Sequence, residues 1–354
     1  MTTPEYTRPT SRRDATGRLL ARPAANEKRV PSVTVIVLNW NSGKDTVGCL
    51  ESLVGLAYPD LKIIVVDNGS TDGSIRMIGK WIETRHPDVG LATDTSGTRF
   101  PNGGSGRKPT EEPAGSPAVE LLQTGHNLGY AGGNNVGIDV ALQSGADYVI
   151  LVNPDVRVCE VNVVAELIKI AEENPNTGIL GPRVVGENGN FAHGAGWVSK
   201  LGRLKTTDRE KIQTHCDFVT GAFFVIRSAV FESVGFLDES FFLYWEETDY
   251  CRRVRRAGYE VRYVPDVQIV HRVSSTTGPV RTYYMHRNRV HYVRTNGVSN
   301  TVLFVFVLWL TCYKAGVILL GSVVRRRGGA LLRIRDMARG YWDGLCGVRG
   351  PRRA

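Results

Sequence analysis

Ordered patterning begins at Val33-Thr34-Val35-Ile36-Val37-Leu38, a nearly continuous β-branched apolar run of the kind buried on both faces of a parallel sheet. After Asn39-Trp40-Asn41-Ser42-Gly43, the residues Val47, Leu50, Leu53 and Val54 recur at three- and four-residue spacing and predict a helix. Leu61–Val66, ending at Asp67, predicts a second strand and completes a βαβ unit. Ile75, Ile78 and Ile82 predict another helix, opened by Ser70 or Thr71 as N-cap. Residues 92–118 break the rhythm: five glycines and four prolines leave too few large apolar side chains to offset ordering the backbone, so a solvated, disordered insertion is expected. The alternation resumes with Val119–Leu122, a helix near Asn134–Gln143, and the strand Tyr148–Val152, which runs into Asn153-Pro154-Asp155. Alternating βα units of this length predict an open, doubly wound α/β sheet whose ligands bind beyond the carboxyl ends of the strands. Asp67 and Asp155 both stand at such ends.

From about residue 217 the segments are shorter: Phe218–Ile226, helices near Ser228–Val234 and Glu247–Ala257, and the strand Glu260–Val264. Beyond His271, arginines alternate with tyrosines, and then comes Thr301–Val324, apolar except for Lys314 and a few small polar residues, followed by Arg325-Arg326-Arg327. About twenty apolar residues suffice to cross a bilayer. Lys314 near the middle and arginines at both ends argue for an interfacial, monotopic anchor on the cytoplasmic leaflet, with a spanning helix and a buried core helix as the alternatives. The boundaries expected are a flexible basic leader over 1–30, a catalytic domain over 31–275, and a helical, membrane-associating basic region over 276–354.

Composition sharpens this in three places. A 42% hydrophobic content over 354 residues excludes a wholly disordered chain. The net charge of +9 is uneven: residues 1–30 carry +4 and 325–354 carry +7, leaving 31–324 at −2. A nucleic-acid-binding core is therefore disfavoured, and the basic ends suit an anionic membrane surface. The first thirty residues lack the apolar stretch of a secretory signal, and the six cysteines form no C-x-x-C pair, which fits a reducing cytosolic setting without zinc or disulfides.

Three features point to a nucleotide-diphosphate ligand. Asp67-Asn68-Gly69-Ser70-Thr71-Asp72-Gly73 places a carboxylate at a strand end before small turn residues, although an ordinary turn with Asx caps explains it equally well. Asn127-Leu128-Gly129-Tyr130-Ala131-Gly132-Gly133-Asn134-Asn135 is a glycine-rich stretch near a helix start; its amides could face anionic oxygens, or it could be a plain loop. It is not the dinucleotide fingerprint. Asn153-Pro154-Asp155 offers one carboxylate to a divalent cation bridging phosphate oxygens, with a turn-forming or capping role as the alternative. Separately, Glu246, Glu247 and Asp249 crowd one another after the aromatic run Phe241–Tyr244, where one carboxyl can rise toward the range of a general base, or where all three simply complement a helix dipole.

In order and spacing, Val35–Asn41, Val65–Ser74, Asn127–Asn135, Asn153–Val156, Thr220–Ser228, Gly235–Asp238, Tyr244–Arg252 and His271 resemble the GT-A-fold glycosyltransferases of family 2, especially their rhamnosyltransferase-like branch. The resemblance covers roughly 31–275 and implies an inverting transfer of a sugar from a nucleotide-diphosphate sugar to a hydroxyl of a glycan or lipid-linked acceptor in cell-surface polysaccharide synthesis. It implies that Asp67 holds the nucleoside, with Asn39 and Asn41 lining the same pocket, and that Asn127, Gly132, Gly133 and Asn134 embrace the nucleotide and sugar. Asn153-Pro154-Asp155 stands in place of the family's Asp-x-Asp, which makes Asp155, with His271, the expected ligands of magnesium or manganese. Asn153 departs from the first Asp of that pattern. Glu246-Glu247 stands where many members have Glu-Asp, so Glu247 is the expected base and Glu246 the second candidate, ahead of Asp249. The branch favours dTDP-L-rhamnose as donor. A nucleotidyltransferase and a non-catalytic membrane adaptor on a degenerate transferase fold are the competing readings.

Overall fold

The computed structural model describes residues 29–85, 117–207, 216–272, 278–324 and 330–352. Nearly all of the leader, most of the 92–118 insertion and Arg325–Arg327 lie outside them.

In the first half, strands and helices alternate: β1 (Val33–Asn39), α1 (Gly43–Leu53), β2 (Leu61–Asp67), α2 (Ser74–Arg85), β3 (Ala118–Gln123), α3 (Gly129–Gln143) and β4 (Tyr148–Val152). β1 pairs in parallel with β2 on one side and β4 on the other, and β3 extends the sheet beyond β2. Then follow β5 (Val156–Arg157), α4 (Val163–Glu173), β6 (Thr177–Val185), β7 (Phe191–His193), β8 (Ala195–Val198), β9 (Leu204–Thr207), β10 (Phe218–Val219), β11 (Phe223–Arg227), α5 (Ser228–Val234), α6 (Glu246–Arg256) and β12 (Glu260–His271). The main sheet runs β3-β2-β1-β4-β11-β6-β12-β5 with β7 beside β6, and β8 lies between β9 and β10 in a small separate sheet. β11 is antiparallel to both neighbours, so the sheet is mostly parallel but mixed at its centre.

The apolar run of β1 is continuous because both its faces are covered. Val33, Val35 and Val37 join the core under α1, α2 and α4, whereas Ile36 joins the opposite core under α3, α5 and α6. Strand order reverses between β2-β1 and β1-β4, and this switch point puts the carboxyl ends of β1, β2 and β4 on one rim.

Four local expectations are corrected. α2 starts at Ser74, not at a Ser70 or Thr71 cap, because Asp72 accepts the Ser74 amide at 3.0 Å. α3 starts at Gly129, five residues before Asn134, so most of the glycine-rich stretch is helical. Phe218–Ile226 is two strands in different sheets, broken at Thr220–Ala222. β12 passes through Pro265 to His271 by a register shift between Val264 and Gln268, which accommodates a residue with no amide to donate.

The chain ends in α7 (Pro279–Thr295), α8 (Asn300–Val324) and α9 (Ala330–Leu345). Leu303, Val307 and Leu310 of α8 are buried against Val290, Tyr292, Val293, Met337 and Tyr341. Lys314 continues that inward stripe at the same three- to four-residue spacing, its Nζ 3.1 Å from His286 Nε2 on α7. Phe304, Val305, Leu308, Trp309, Tyr313 and Leu320 point outward and are exposed. Asn300–Leu320 is long and apolar enough to cross a membrane, and only 17% of its most apolar stretch is buried, so α8 is not a core helix.

Candidate active site

At the carboxyl ends of β1 and β2, Asn39 and Asp67 are buried and locked together. Asn39 Nδ2 donates to Asp67 Oδ1 at 2.6 Å and to Ser70 Oγ at 3.0 Å, while Thr46 Oγ1 donates to Asn39 Oδ1 at 2.7 Å. The Ser70 amide donates to Asp67 Oδ2 at 3.0 Å. Asn41 has φ 52°, and its Oδ1 accepts the Thr71 amide at 2.8 Å, so the two loops after β1 and β2 are stitched into one rim. Asp67 is fully buried, with one oxygen taken by Asn39 and the other by the Ser70 amide.

Asn68 carries the rim to the glycine-rich segment. Its Nδ2 donates to Asn127 Oδ1 at 3.1 Å and to the Gly129 carbonyl at 3.0 Å, and its Oδ1 accepts the Leu128 amide at 3.0 Å. Gly132 and Gly133 do not hold open amides for phosphate, as their pattern suggested. Both lie inside α3, and a Cβ on Gly133 would stand 2.5 Å from Leu38 Cδ1, one on Gly132 2.7 Å from Leu128 Cβ. These glycines let α3 approach β1 and its own entry loop closely. Asn134 is buried, its Nδ2 donating to the Tyr130 carbonyl at 2.9 Å and its Oδ1 without a hydrogen-bond partner.

The third corner is the turn between β10 and β11. The Asn153 amide donates to the Ala222 carbonyl at 3.0 Å, fixing the segment that carries Asp155. Asp155 Oδ1 lies 2.9 Å from His271 Nε2, because β5 pairs antiparallel with the end of β12 and sets Val156 opposite His271. Both side chains are partly exposed, at 15% and 13%. No group of three potential metal-binding side chains occurs among the described residues. One carboxylate and one imidazole nonetheless fit a magnesium or manganese ion that takes its remaining ligands from diphosphate oxygens and water.

Residue 221 joins this corner to the acidic cluster. Tyr130 Oη donates to the Gly221 carbonyl at 2.9 Å, and a Cβ on Gly221 would lie 3.4 Å from both Tyr130 Oη and Glu247 Cβ. Glu246 and Glu247 open α6, and three residues before them, Phe242, Tyr244 and Trp245, have φ of 64°, 69° and 80°. Burial raises the Glu247 carboxyl above the ordinary glutamate range, opposed in part by the amides at the helix start and the Thr248 hydroxyl. Burial, and secondly the Glu247 charge, raise Glu246 further, and its Oε1 has no hydrogen-bond partner. The same two carboxylates, after burial, push the Tyr130 phenol up. Asp249 does not belong to this group. Its carboxylate is 4% exposed and clamped by Arg252 and by Arg253 Nε, the latter at 2.8 Å, so its role is to tie α6 together.

Residues 34–97 match glycosyl transferase family 2, and residues 159–335, half the chain, match glycosyl transferase family group 2. The chain belongs to glycosyltransferase family 2. Family 2 relatives include a hexosyltransferase of low-salt glycan biosynthesis from Haloferax volcanii, 25% identical over 68% of this chain and 66% of that one. A dTDP-rhamnosyl transferase from Shigella flexneri is 27% identical over 51% of this chain and 64% of its own. The N-acetylglucosaminyl-diphospho-decaprenol L-rhamnosyltransferase of Mycobacterium tuberculosis is 26% identical over 69% and 77%. The chain thus spans just under two thirds of the first two. A mannosyltransferase from Pyrobaculum calidifontis, solved with GDP-Man and Mn2+, superposes with TM-score 0.52 at 16% identity over 90% of this chain and 87% of that one, which establishes the GT-A architecture.

Three members of the family 2 rim escaped the sequence reading. Asn68 was hidden in a turn motif whose aspartate drew attention, although an amide flanked by a strand end and a glycine is the natural bridge between two loops. Tyr130 and Gly221 are 91 residues apart and meet only through the fold.

Proposed function

We propose that this protein is an inverting, metal-dependent glycosyltransferase that moves a sugar, rhamnosyl in first place, from a nucleotide-diphosphate sugar to a hydroxyl of a glycan or lipid-linked acceptor. The observation that carries this reading is that Asp67 and its neighbour Asn68 are tied to Gly129, the next residue Tyr130 bonds the Gly221 carbonyl beside Glu247, and Ala222 bonds the Asn153 amide of the segment carrying the Asp155–His271 pair. Family membership supports the transfer chemistry, and relatives named for dTDP-rhamnose and for a diphospho-decaprenol acceptor support the donor and acceptor classes.

In this reading Asp67, Asn39 and Asn41 shape the nucleoside end of the cleft. Asp155 and His271 would hold magnesium or manganese, which when bound supplies positive charge to the diphosphate. Glu247, raised by burial, removes the proton from the acceptor hydroxyl; the acceptor oxygen bonds to the anomeric carbon from one face as the carbon–oxygen bond to the diphosphate breaks on the other. The electron pair of the broken bond leaves with the nucleoside diphosphate, and the configuration inverts. The outward face of α8, rich in Trp309, Tyr313 and leucines, seats the protein on the membrane, with Lys314 turned inward onto His286.

The test is transfer by the purified full chain in detergent with Mn2+ or Mg2+, a panel of dTDP-, UDP- and GDP-sugars, and polyprenyl-diphosphate sugar acceptors. Release of nucleoside diphosphate that Glu247→Gln lowers by about 10²–10⁴-fold, the usual size of a general base's contribution, supports the reading. Absence of release with every donor, or full activity in Glu247→Gln, refutes it.

A further inference from the structure

The turn that delivers Glu246 and Glu247 is held from outside the cleft. Non-glycine residues seldom adopt positive φ, and three within four positions, Phe242, Tyr244 and Trp245, persist only where neighbours over-determine the backbone. The neighbour here is α7. Asn288, 1% exposed, places Nδ2 at 2.9, 2.8 and 2.8 Å from the carbonyls of Phe241, Leu243 and Tyr244, its two N–H groups shared among three acceptors, so one amide group gathers three carbonyls of a single turn.

Arg287, also 1% exposed, settles which end of that amide faces the turn. Its Nε donates to Asn288 Oδ1 at 2.8 Å, while its Nη2 donates to the Phe241 carbonyl at 2.6 Å and the Ser240 carbonyl at 3.3 Å. The guanidinium lies over Tyr284 at 4.7 Å, and its Nη1 donates to the Gly350 carbonyl. Two more contacts flank the clamp: Trp245 Nε1 donates to the Met285 carbonyl at 3.2 Å, and Ser240 Oγ lies 3.0 Å from His291 Nε2. On its other side the turn reaches the donor loop, since the Phe242 carbonyl accepts the Tyr130 amide at 2.6 Å.

We propose that Asn288 and Arg287 are positioning residues for the transfer reaction, holding the 241–245 turn in its left-handed course so that Glu247 faces the acceptor hydroxyl. This rests on the reading of Glu247 as the base. Neither side chain bonds to the rim around Asp67, and the Tyr130 amide's bond to the Phe242 carbonyl involves neither of them, so their removal is expected to act on the base more than on donor binding.

The experiment measures kcat, donor KM and the kcat–pH profile of the full chain carrying Asn288→Ala, with Glu247→Gln in parallel and hydrogen–deuterium exchange over residues 239–250. The expected result is a kcat at least tenfold lower, donor KM within about twofold of wild type, an acid limb moved to lower pH as water reaches Glu247, and faster exchange confined to the turn. If Asn288→Ala does not fold, Asn288→Ser, which keeps one donor for the carbonyls, takes its place with the same expected pattern in weaker form. Unchanged kcat in the Asn288 variant, or kcat and donor affinity falling together, overturns the inference while an inactive Glu247→Gln leaves the transferase reading standing. Wild-type turnover in Glu247→Gln overturns both.

Discussion

Gly129 opens α3 at φ +77°, and a Cβ built there would stand 2.3 Å from the Phe242 carbonyl oxygen and 2.6 Å from Phe242 Cδ2. Gly129→Ala therefore carries two separate penalties. The left-handed backbone costs an alanine about 1–2 kcal/mol. The clash cannot be relieved by a rotamer, because the nearest atom is backbone and that carbonyl already accepts the Tyr130 amide at 2.6 Å; forcing a methyl into such a packed site costs a further ~1–3 kcal/mol. Together these predict a loss of about 2–5 kcal/mol. Gly73 isolates the first penalty, since it has φ +85° and nothing within 4 Å of its would-be Cβ. Gly73→Ala should lose only about 1–2 kcal/mol. Urea unfolding of the full chain in detergent, compared through midpoints at equal m-value, measures both. Because the displaced atom belongs to the turn before Glu246, Gly129→Ala should also lower transfer more than its stability loss explains, and Gly73→Ala should not. Equal losses in the two variants, or a Gly129→Ala protein within about 0.5 kcal/mol of wild type, the range of inert surface substitutions, would refute the packing argument.

Glu246 is a buried carboxyl raised by burial and by Glu247, so the folded state binds its proton more tightly than the unfolded state does. Its contribution to stability is accordingly present below the ordinary glutamate pKa and is lost as pH rises. Glu246→Gln should remove that slope and be the more stable protein at alkaline pH; parallel thermal melts from pH 4 to 9 that keep a constant difference would contradict this. Asp155→Ala and His271→Ala should each abolish the extra melting-temperature rise that Mn2+ adds to a nucleoside diphosphate, while Arg272→Ala, whose guanidinium pairs with Glu187 at 2.6 Å, should keep it. On α8, Leu308→Asp with Trp309→Asp should abolish flotation with anionic vesicles, because both side chains are exposed on the outward face, whereas Lys314→Met on the inward stripe should leave flotation intact. Flotation lost only in Lys314→Met would place the wrong face against lipid.

The strands β1, β2 and β4 were legible because burial on two faces leaves an apolar run, whereas β6 to β9 were not read from the sequence. Val33–Leu38, Leu61–Val66 and Tyr148–Val152 are apolar runs broken only by Thr34 and Lys62, and the observed strands match them to within a residue. Glycine was the least legible residue. A stretch with Gly129, Gly132 and Gly133 serves equally as a pattern for an open phosphate loop and for a helix that must pass close to a strand, and only the positions of Leu38, Leu128 and Phe242 decide between them. The strand read as Glu260–Val264 runs further: the missing amide of Pro265 interrupts the ladder, but a register shift lets the strand continue to His271, and that continuation is what brings His271 opposite Val156 and onto Asp155.

Charged residues divide along the same line. Glu246, Glu247 and Asp249 are alike in sequence as acidic positions in a first helical turn, yet helical geometry separates their fates. Asp249 has Arg252 and Arg253 three and four residues ahead and is neutralised by its own helix. Glu246 and Glu247 have no basic residue at either spacing, so burial outweighs the helix-start amides, the Thr248 hydroxyl and the more distant Arg287 charge, and raises both. Lys314 obeys the same geometry, since it falls on the stripe with Leu303, Val307 and Leu310 and finds His286, so that a charge in the middle of an apolar helix is no obstacle to lipid on the opposite face. A buried ionisable group is thus read best by asking what stands three and four residues away on its own helix before asking what function it serves. Applied to Asn288, the same question points outward: its amide spans to carbonyls 44 to 47 residues earlier in the chain, a reach that local pattern does not encode and that only the packing of α7 against the turn supplies.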